Sequence, residues 1–120
     1  MTDPQEFDTK QVDPNARKRS VGRELAMKLV YVLDARGKDR AYEDAKEIIE
    51  RENDPADSKE FGRTLFEGVS ENKDDLDNII HEAADNWDVG RMAAVDRALL
   101  RIGAYELLYC FDIPPKVTIS

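Results

Sequence analysis

The chain holds one cysteine, Cys110, and one histidine, His81, in 120 residues. A lone thiol excludes an internal disulfide, and neither residue has the companions that a metal cluster needs. Glycine and proline are scarce, at 6 and 5, which argues against a turn-rich β-sandwich. No apolar run approaches the roughly 20 residues that span a bilayer, so no membrane partner is expected. The opening MTDPQEFDTKQVDP has no apolar stretch and does not read as a signal peptide. A Gly-rich phosphate loop and a Ser-His-Asp set are also missing. These absences point to the cytoplasm and away from an enzyme, a metal or a cofactor.

What the chain has in quantity is charge. Charged residues make up 37% of it, with 26 acids against 18 lysines and arginines, for a net charge of −8. Such an average surface repels nucleic-acid phosphate. The distribution differs from the sum. Between Ala16 and Lys28 stand Arg17, Lys18, Arg19, Arg23 and Lys28, against the single acid Glu24.

The pattern is helical throughout, and the fold class expected is an all-α bundle. Residues 1–13 are polar and aperiodic, and read as a disordered acidic tail. Asp13-Pro14 has the form of a helix start, Asp as cap and Pro at the first helical position. The helix it opens runs to about Asp34 and ends near Gly37, with Val21, Gly22, Leu25, Ala26, Leu29, Val32 and Leu33 on one face. A charged helix over about 40–52 carries a thin stripe of Tyr42, Ala45, Ile48 and Ile49. Asp54-Pro55 repeats the start signal before a third helix through Phe61, Leu65, Phe66 and Val69. Asn72 and Asp75 are spaced as a capping box for a fourth, with Leu76, Ile79, Ile80 and Ala83 inward. Trp87 and the stretch to Arg91 lead to a fifth helix, about 92–110, apolar nearly all round and broken only by Asp96, Arg97, Arg101 and Glu106. A helix of that kind belongs at the centre of a bundle. Pro114-Pro115 ends it. The domain divides into helical groups of about 14–53 and 54–120.

The basic island lies at the start of the first helix, where the macrodipole already places about half a positive charge. Stability alone favours acids there. Cations at that end make sense if they meet an anion, and RNA phosphate is the obvious one; the alternative is a solvated charged turn. Tyr31 and Met27 lie on the polar face of the same helix, where an aromatic beside cations can stack on a base or anchor a partner, or be covered by the second helix or the tail. His81 fits a helix-surface or packed role better than a ligand role. Asp74, Asp75 and Asp77 mark a helix start rather than a metal site, and Cys110, between Tyr109 and Phe111, reads as an inert packed thiol.

Three stretches resemble the NusB family of transcription antitermination factors: RKRSVGRELAMKLVY, FGRTLFEGVSENKDDLDNII and WDVGRMAAVDRALLRIGAYELLYCFDIPPKVTIS. The last carries the family's Trp, its Val-(Glu/Asp)-Arg-Ala-(Ile/Leu)-Leu-Arg, its Tyr-Glu-Leu and its Asp-(Ile/Val)-Pro. The resemblance spans about 17–120, in family order. It implies a two-part helical bundle that pairs with the ribosomal protein NusE and binds single-stranded boxA RNA within the RNA polymerase antitermination complex. It also implies that Arg17, Lys18, Arg19 and Arg23 contact RNA, with Lys28 beside them, and that Tyr31 and Asp96 serve assembly with NusE or RNA. Two other readings are a NusB-like domain of a ribosomal RNA cytosine methyltransferase and a protein-only helical adaptor. The family pattern continues through two further helices after the Val-x-Ile stretch, whereas this sequence stops at Ser120. The expectation is therefore a bundle lacking its last two helices, marginal in stability, with Leu99, Leu100, Leu107 and Leu108 not all buried and an apolar groove along the fifth helix.

Overall fold

A computed structural model describes residues 15–84 and 88–110, and the fold is all-α. Five α-helices follow in order: α1 Ala16–Arg36, α2 Lys38–Arg51, α3 Ala56–Glu71, α4 Lys73–Ala83 and α5 Ala94–Tyr109, with a 3₁₀ turn at Val89–Arg91 before α5. The tail, Asp13-Pro14, Trp87 and Pro114-Pro115 lie outside the described residues.

Helix α1 is the axis of the bundle: α3 packs along it, and α2 and α5 flank it. Its buried residues are Gly22, Leu25, Ala26, Leu29, Val30 and Leu33. Val21 and Val32, expected inside, are half-buried, and Val30 is buried in their place. With neighbours on three sides, the covered arc is wider than one stripe and turned toward Val30. Gly37, at φ 89°, closes α1 by donating its N–H to the Leu33 carbonyl and opens α2 directly. A side chain is strained at that φ, which accounts for glycine there.

Where α1 crosses α3 the backbones nearly touch. A Cβ on Gly62 would lie 2.9 Å from the Gly22 carbonyl oxygen, and one on Gly22 would lie 2.6 Å from the Phe61 ring. Further along α3, a Cβ on Gly68 would meet the Tyr105 ring of α5 at 2.0 Å. Around these contacts lies one apolar core that draws on all five helices, with Phe66, Leu29, Leu65 and Leu76 its largest wholly buried side chains. Tyr42 of α2 flanks it, its ring centroid 5.0 Å from that of Phe66. The core is continuous across residues 53 and 54, so the two helical groups do not have separate interiors.

The helix starts differ from expectation. α3 begins at Ala56, with Pro55 in the cap position and no side chain capping it. Asn72 precedes α4, but its side chain caps nothing there; its amide Nδ2 donates instead to the Gly68 carbonyl at 2.8 Å, sealing the end of α3. An asparagine at a junction of two helices can serve either, its side-chain oxygen accepting from the next helix or its amide nitrogen donating to the last; here the Gly68 carbonyl takes both the backbone N–H and Nδ2 of Asn72.

Helix α5 does not sit at the centre of the bundle. Its buried residues are Ala98, Arg101, Ile102 and Glu106. Leu107 is 62% exposed and Leu99 53%, with Leu100 and Leu108 also exposed. On α4, Leu76 and Ile80 are buried, whereas Ile79 and Ala83, expected inward, are exposed. Between the two helices runs an apolar groove of about 450 Å³, lined by Ile79, Ala83, Leu99, Leu100, Leu107 and Leu108 among others. The four leucines expected to lack cover are bare, and the groove lies where it was expected.

Candidate nucleic-acid interface

The cations of α1 fall into two sets. Helical spacing puts Arg17, Glu24, Lys28 and Tyr31 on one outward stripe, and all four are exposed. From Arg17 to Tyr31 the stripe runs about 21 Å along the axis. Arg17 and Lys18 meet no carboxylate among the described residues. Lys28 pairs with Glu52 at the end of α2, and the hydrogen bond to that carboxylate is the main reason its pKa is raised despite some burial. It is a cation already answered.

Arg19 is half-buried, and Arg23, one turn on, reaches α5. The Arg23 guanidinium grips Glu106 in bidentate fashion, Nε donating to Oε2 at 2.8 Å and Nη2 to Oε1 at 2.7 Å. Such a fork fixes orientation as well as charge. It joins the start of α1 to the last turns of α5.

A second charged joint closes the other end. Arg101 is only 3% exposed, and burial works against its charge. Asp77 of α4 and Asp34 of α1 outweigh that and hold its pKa above the ordinary value. Its Nε and Nη2 donate to the two Asp77 carboxylate oxygens, each at 2.8 Å, and its Nη1 donates to Asp34 at 3.3 Å. Arg97 donates to Asp34 as well, and through Nη1 to the carbonyls of Val89 at 3.1 Å and Met92 at 3.0 Å. Asp34 is pulled below its ordinary pKa, chiefly by the Arg97 hydrogen bond.

This joint decides where the expected partner residues stand. Tyr31, 48% exposed, is one turn before Asp34, and Asp96, also exposed, is next to Arg97 in the first turn of α5. The ion pair therefore brings Tyr31 and Asp96 to the same end of the α1–α5 pair, and leaves Arg17 and Lys18 at the other. Asp77 is not a helix-start acid like Asp74 and Asp75: it is the principal partner of Arg101. Sequence reasoning missed Asp34, Asp77 and Glu106 as a set. One signal was available, since arginines and a glutamate in an apolar helix need charged partners if they face inward. Among the described residues no group of three or more His, Cys, Asp or Glu could hold a metal ion, and His81 is exposed. No helix among them is long and apolar enough to cross a membrane.

The arrangement defines an all-α bundle whose first helix opens on exposed or half-buried cations, two of which, Arg17 and Lys18, meet no carboxylate among the described residues. Residues 20–120 match the NusB family, and the chain belongs to it. It is 35% identical over 108 residues to the transcription antitermination protein NusB of Syntrophus aciditrophicus, covering 87% of this chain and 64% of that protein. With the protein of the same name from Geobacter sulfurreducens it shares 39% identity, covering 85% of this chain and 74% of the relative. For that of Chloroherpeton thalassium the figures are 42% identity, 82% and 46%. The chain thus spans from about half to three quarters of these relatives' lengths. Among solved structures, a chain in the crystal structure described as that of a plectonemic RNA supercoil superposes with a TM-score of 0.73 at 28% identity, covering 84% of this chain and 73% of that one.

Proposed function

We propose that this chain acts in transcription antitermination, binding boxA-type single-stranded RNA together with the ribosomal protein NusE within the RNA polymerase antitermination complex, and that it does so without catalysis. The observation that carries the reading is the pair Arg17 and Lys18, exposed or half-buried with no carboxylate partner among the described residues, at the basic end of an otherwise acidic chain. Cations at a helix N-terminus oppose the macrodipole, and an incoming phosphate relieves that cost. Membership of a family whose relatives carry the antitermination name supports it. Arg19 and Arg23 extend the same surface, with Arg23 held in place by Glu106 of α5. Lys28, already paired with Glu52, contributes to RNA binding only if that pair opens. Tyr31 and Asp96, exposed at the opposite end, form the face for NusE.

The test is binding of a short boxA-type RNA with and without NusE. Binding tightens when NusE is present. Replacing Arg17, Lys18 and Arg19 together by Ala weakens it and flattens the log–log salt dependence by about 0.7 for each phosphate no longer neutralised. Tyr31→Ala and Asp96→Lys impair assembly with NusE while helicity is kept. An unchanged affinity and slope in the triple variant removes the basic end of α1 from the mechanism.

A further inference from the structure

We infer that Arg97 is a positioning residue for the NusE face: it ties the turn ahead of α5 to the late part of α1, and so fixes Asp96 relative to Tyr31. This deepens the partner reading above and rests on it.

The two partner residues stand on different helices, each beside one end of the same contact. Tyr31 lies one turn before Asp34 on α1, and Asp96 immediately precedes Arg97 on α5. Arg97 Nη2 donates to the Asp34 carboxylate. Its Nη1 donates to carbonyls of the stretch that leads into α5, those of Val89 at 3.1 Å, Met92 at 3.0 Å and Gly90 at 3.4 Å. The two terminal nitrogens of one planar guanidinium therefore hold α1 on one side and the 3₁₀ turn on the other.

The other polar contacts of that turn, among the described residues, are internal to it. Asp88 Oδ1 accepts from the Gly90 N–H at 2.9 Å, Arg91 reaches back to Asp88, and no side chain caps the start of α5. Arg101 offers the contrast. It also donates to Asp34, but its remaining contacts go to Asp77 on α4, and among the described residues it makes no hydrogen bond to the turn.

The Arg97 side chain is only 15% exposed, so little of it is left for a partner to touch. It acts through its neighbours. A face assembled from two elements binds most tightly when both are already in place, because ordering them on binding subtracts from the affinity.

The test measures binding of purified NusE to the intact chain and its variants, at a temperature where circular dichroism shows each one folded. Arg97→Ala weakens NusE binding about tenfold. Arg101→Ala loses more stability, being the more buried arginine, yet weakens NusE binding less, because Arg97 still holds the turn. A merely structural role for Arg97 gives no such crossover. Arg97→Lys keeps a charge for Asp34 but lacks the second nitrogen, so NusE binding stays weakened while stability recovers toward wild type. RNA binding without NusE keeps its affinity and salt slope in all three variants, since Arg17 and Lys18 stand at the other end of α1. Losses of NusE binding that follow the losses of stability, or full affinity in Arg97→Lys, overturn the inference. So does an unchanged Arg97→Ala alongside weakened Tyr31→Ala and Asp96→Lys, and the partner reading then stands. If Tyr31→Ala and Asp96→Lys both bind NusE as wild type does, the partner face itself is wrong, and this falls with it.

Discussion

The two sides of α5 are built on opposite terms. Toward α1 and α4 it presents Arg97, Arg101 and Glu106, and these charged residues are largely buried. Away from them it presents Leu99, Leu100, Leu107 and Leu108, and these are exposed. Ordinarily the leucines would be inside and the arginines out. The inversion shows that hydrophobicity does not by itself locate a helix. Partners do: each buried charge on α5 has a carboxylate or guanidinium facing it, and the leucines face an open groove. Two ion-paired joints also fix what an apolar seam leaves loose, namely the axial position and rotation of α5 against α1.

Removing one partner from the more buried joint is expected to do the greatest damage. Arg101→Ala leaves Asp77 without its cation and Asp34 with Arg97 alone, at a cost of about 3 kcal/mol in urea unfolding. Adding Asp77→Leu is expected to restore part of that, because the second change removes a stranded charge. No recovery in the double variant would mean that packing of the arginine stem, rather than charge, is what holds the joint.

Glu106→Ala breaks the other joint and is expected to cost less, about 1–2 kcal/mol, because Arg23 still reaches water. The comparison is sharpened if α5 remains helical by circular dichroism while its C-terminal turns lose protection from proteolysis. Equal losses for Glu106→Ala and Arg101→Ala would contradict the ranking of the joints by burial.

The Asp34 joint also responds to pH. A carboxyl whose folded pKa lies below its unfolded value adds stability that is fully present above the unfolded value and is lost as pH falls through the folded one. For Asp34 that window opens near its ordinary value of 3.8 and extends downward. Asp34→Asn is therefore expected to lower stability at neutral pH and to flatten the part of the acid-unfolding curve below about pH 4. A curve of unchanged shape would show that Arg97 and Arg101 stabilise the fold without favouring the Asp34 anion.

The smallest effect belongs to the leucine side. Leu107→Glu is expected to change stability by less than about 0.5 kcal/mol, since the side chain is largely in water already. The same change is expected to reduce self-association at high concentration, measured by sedimentation, because it breaks a contiguous apolar patch. A large loss of stability would show that this side is covered in solution.

Much of the bundle was legible in the sequence. The apolar spacing of α1 and α3, the glycine after α1 and the helical character of 94–109 all follow from local pattern. The uncovered leucines were legible as well, through the family pattern. What pattern could not supply was pairing. Asp34 reads as an ordinary helix-end acid and Asp77 as a helix-start one until α5 brings two arginines to them. Arg23 reads as one of several cations until Glu106, 83 residues away, takes it. Asn72 has two helix ends to serve, and only the packed geometry selects one. Tyr109 reads as an apolar neighbour of Cys110, and its stacking on Tyr105 depends on Gly68 leaving room for the inner ring.

The near-contact of Gly22 and Gly62 bears on how the molecule opens. At that crossing no side chain separates the two glycines, and the buried side chains of both helices interlock on either side of it, so neither helix slides in small steps. They separate whole or not at all. In amide hydrogen exchange, the middle turns of α1 and α3 are therefore expected to form a single slow unit that opens only with global unfolding. α4 and the outer side of α5 are expected to exchange earlier, as a lid that loosens while the crossed pair stays shut.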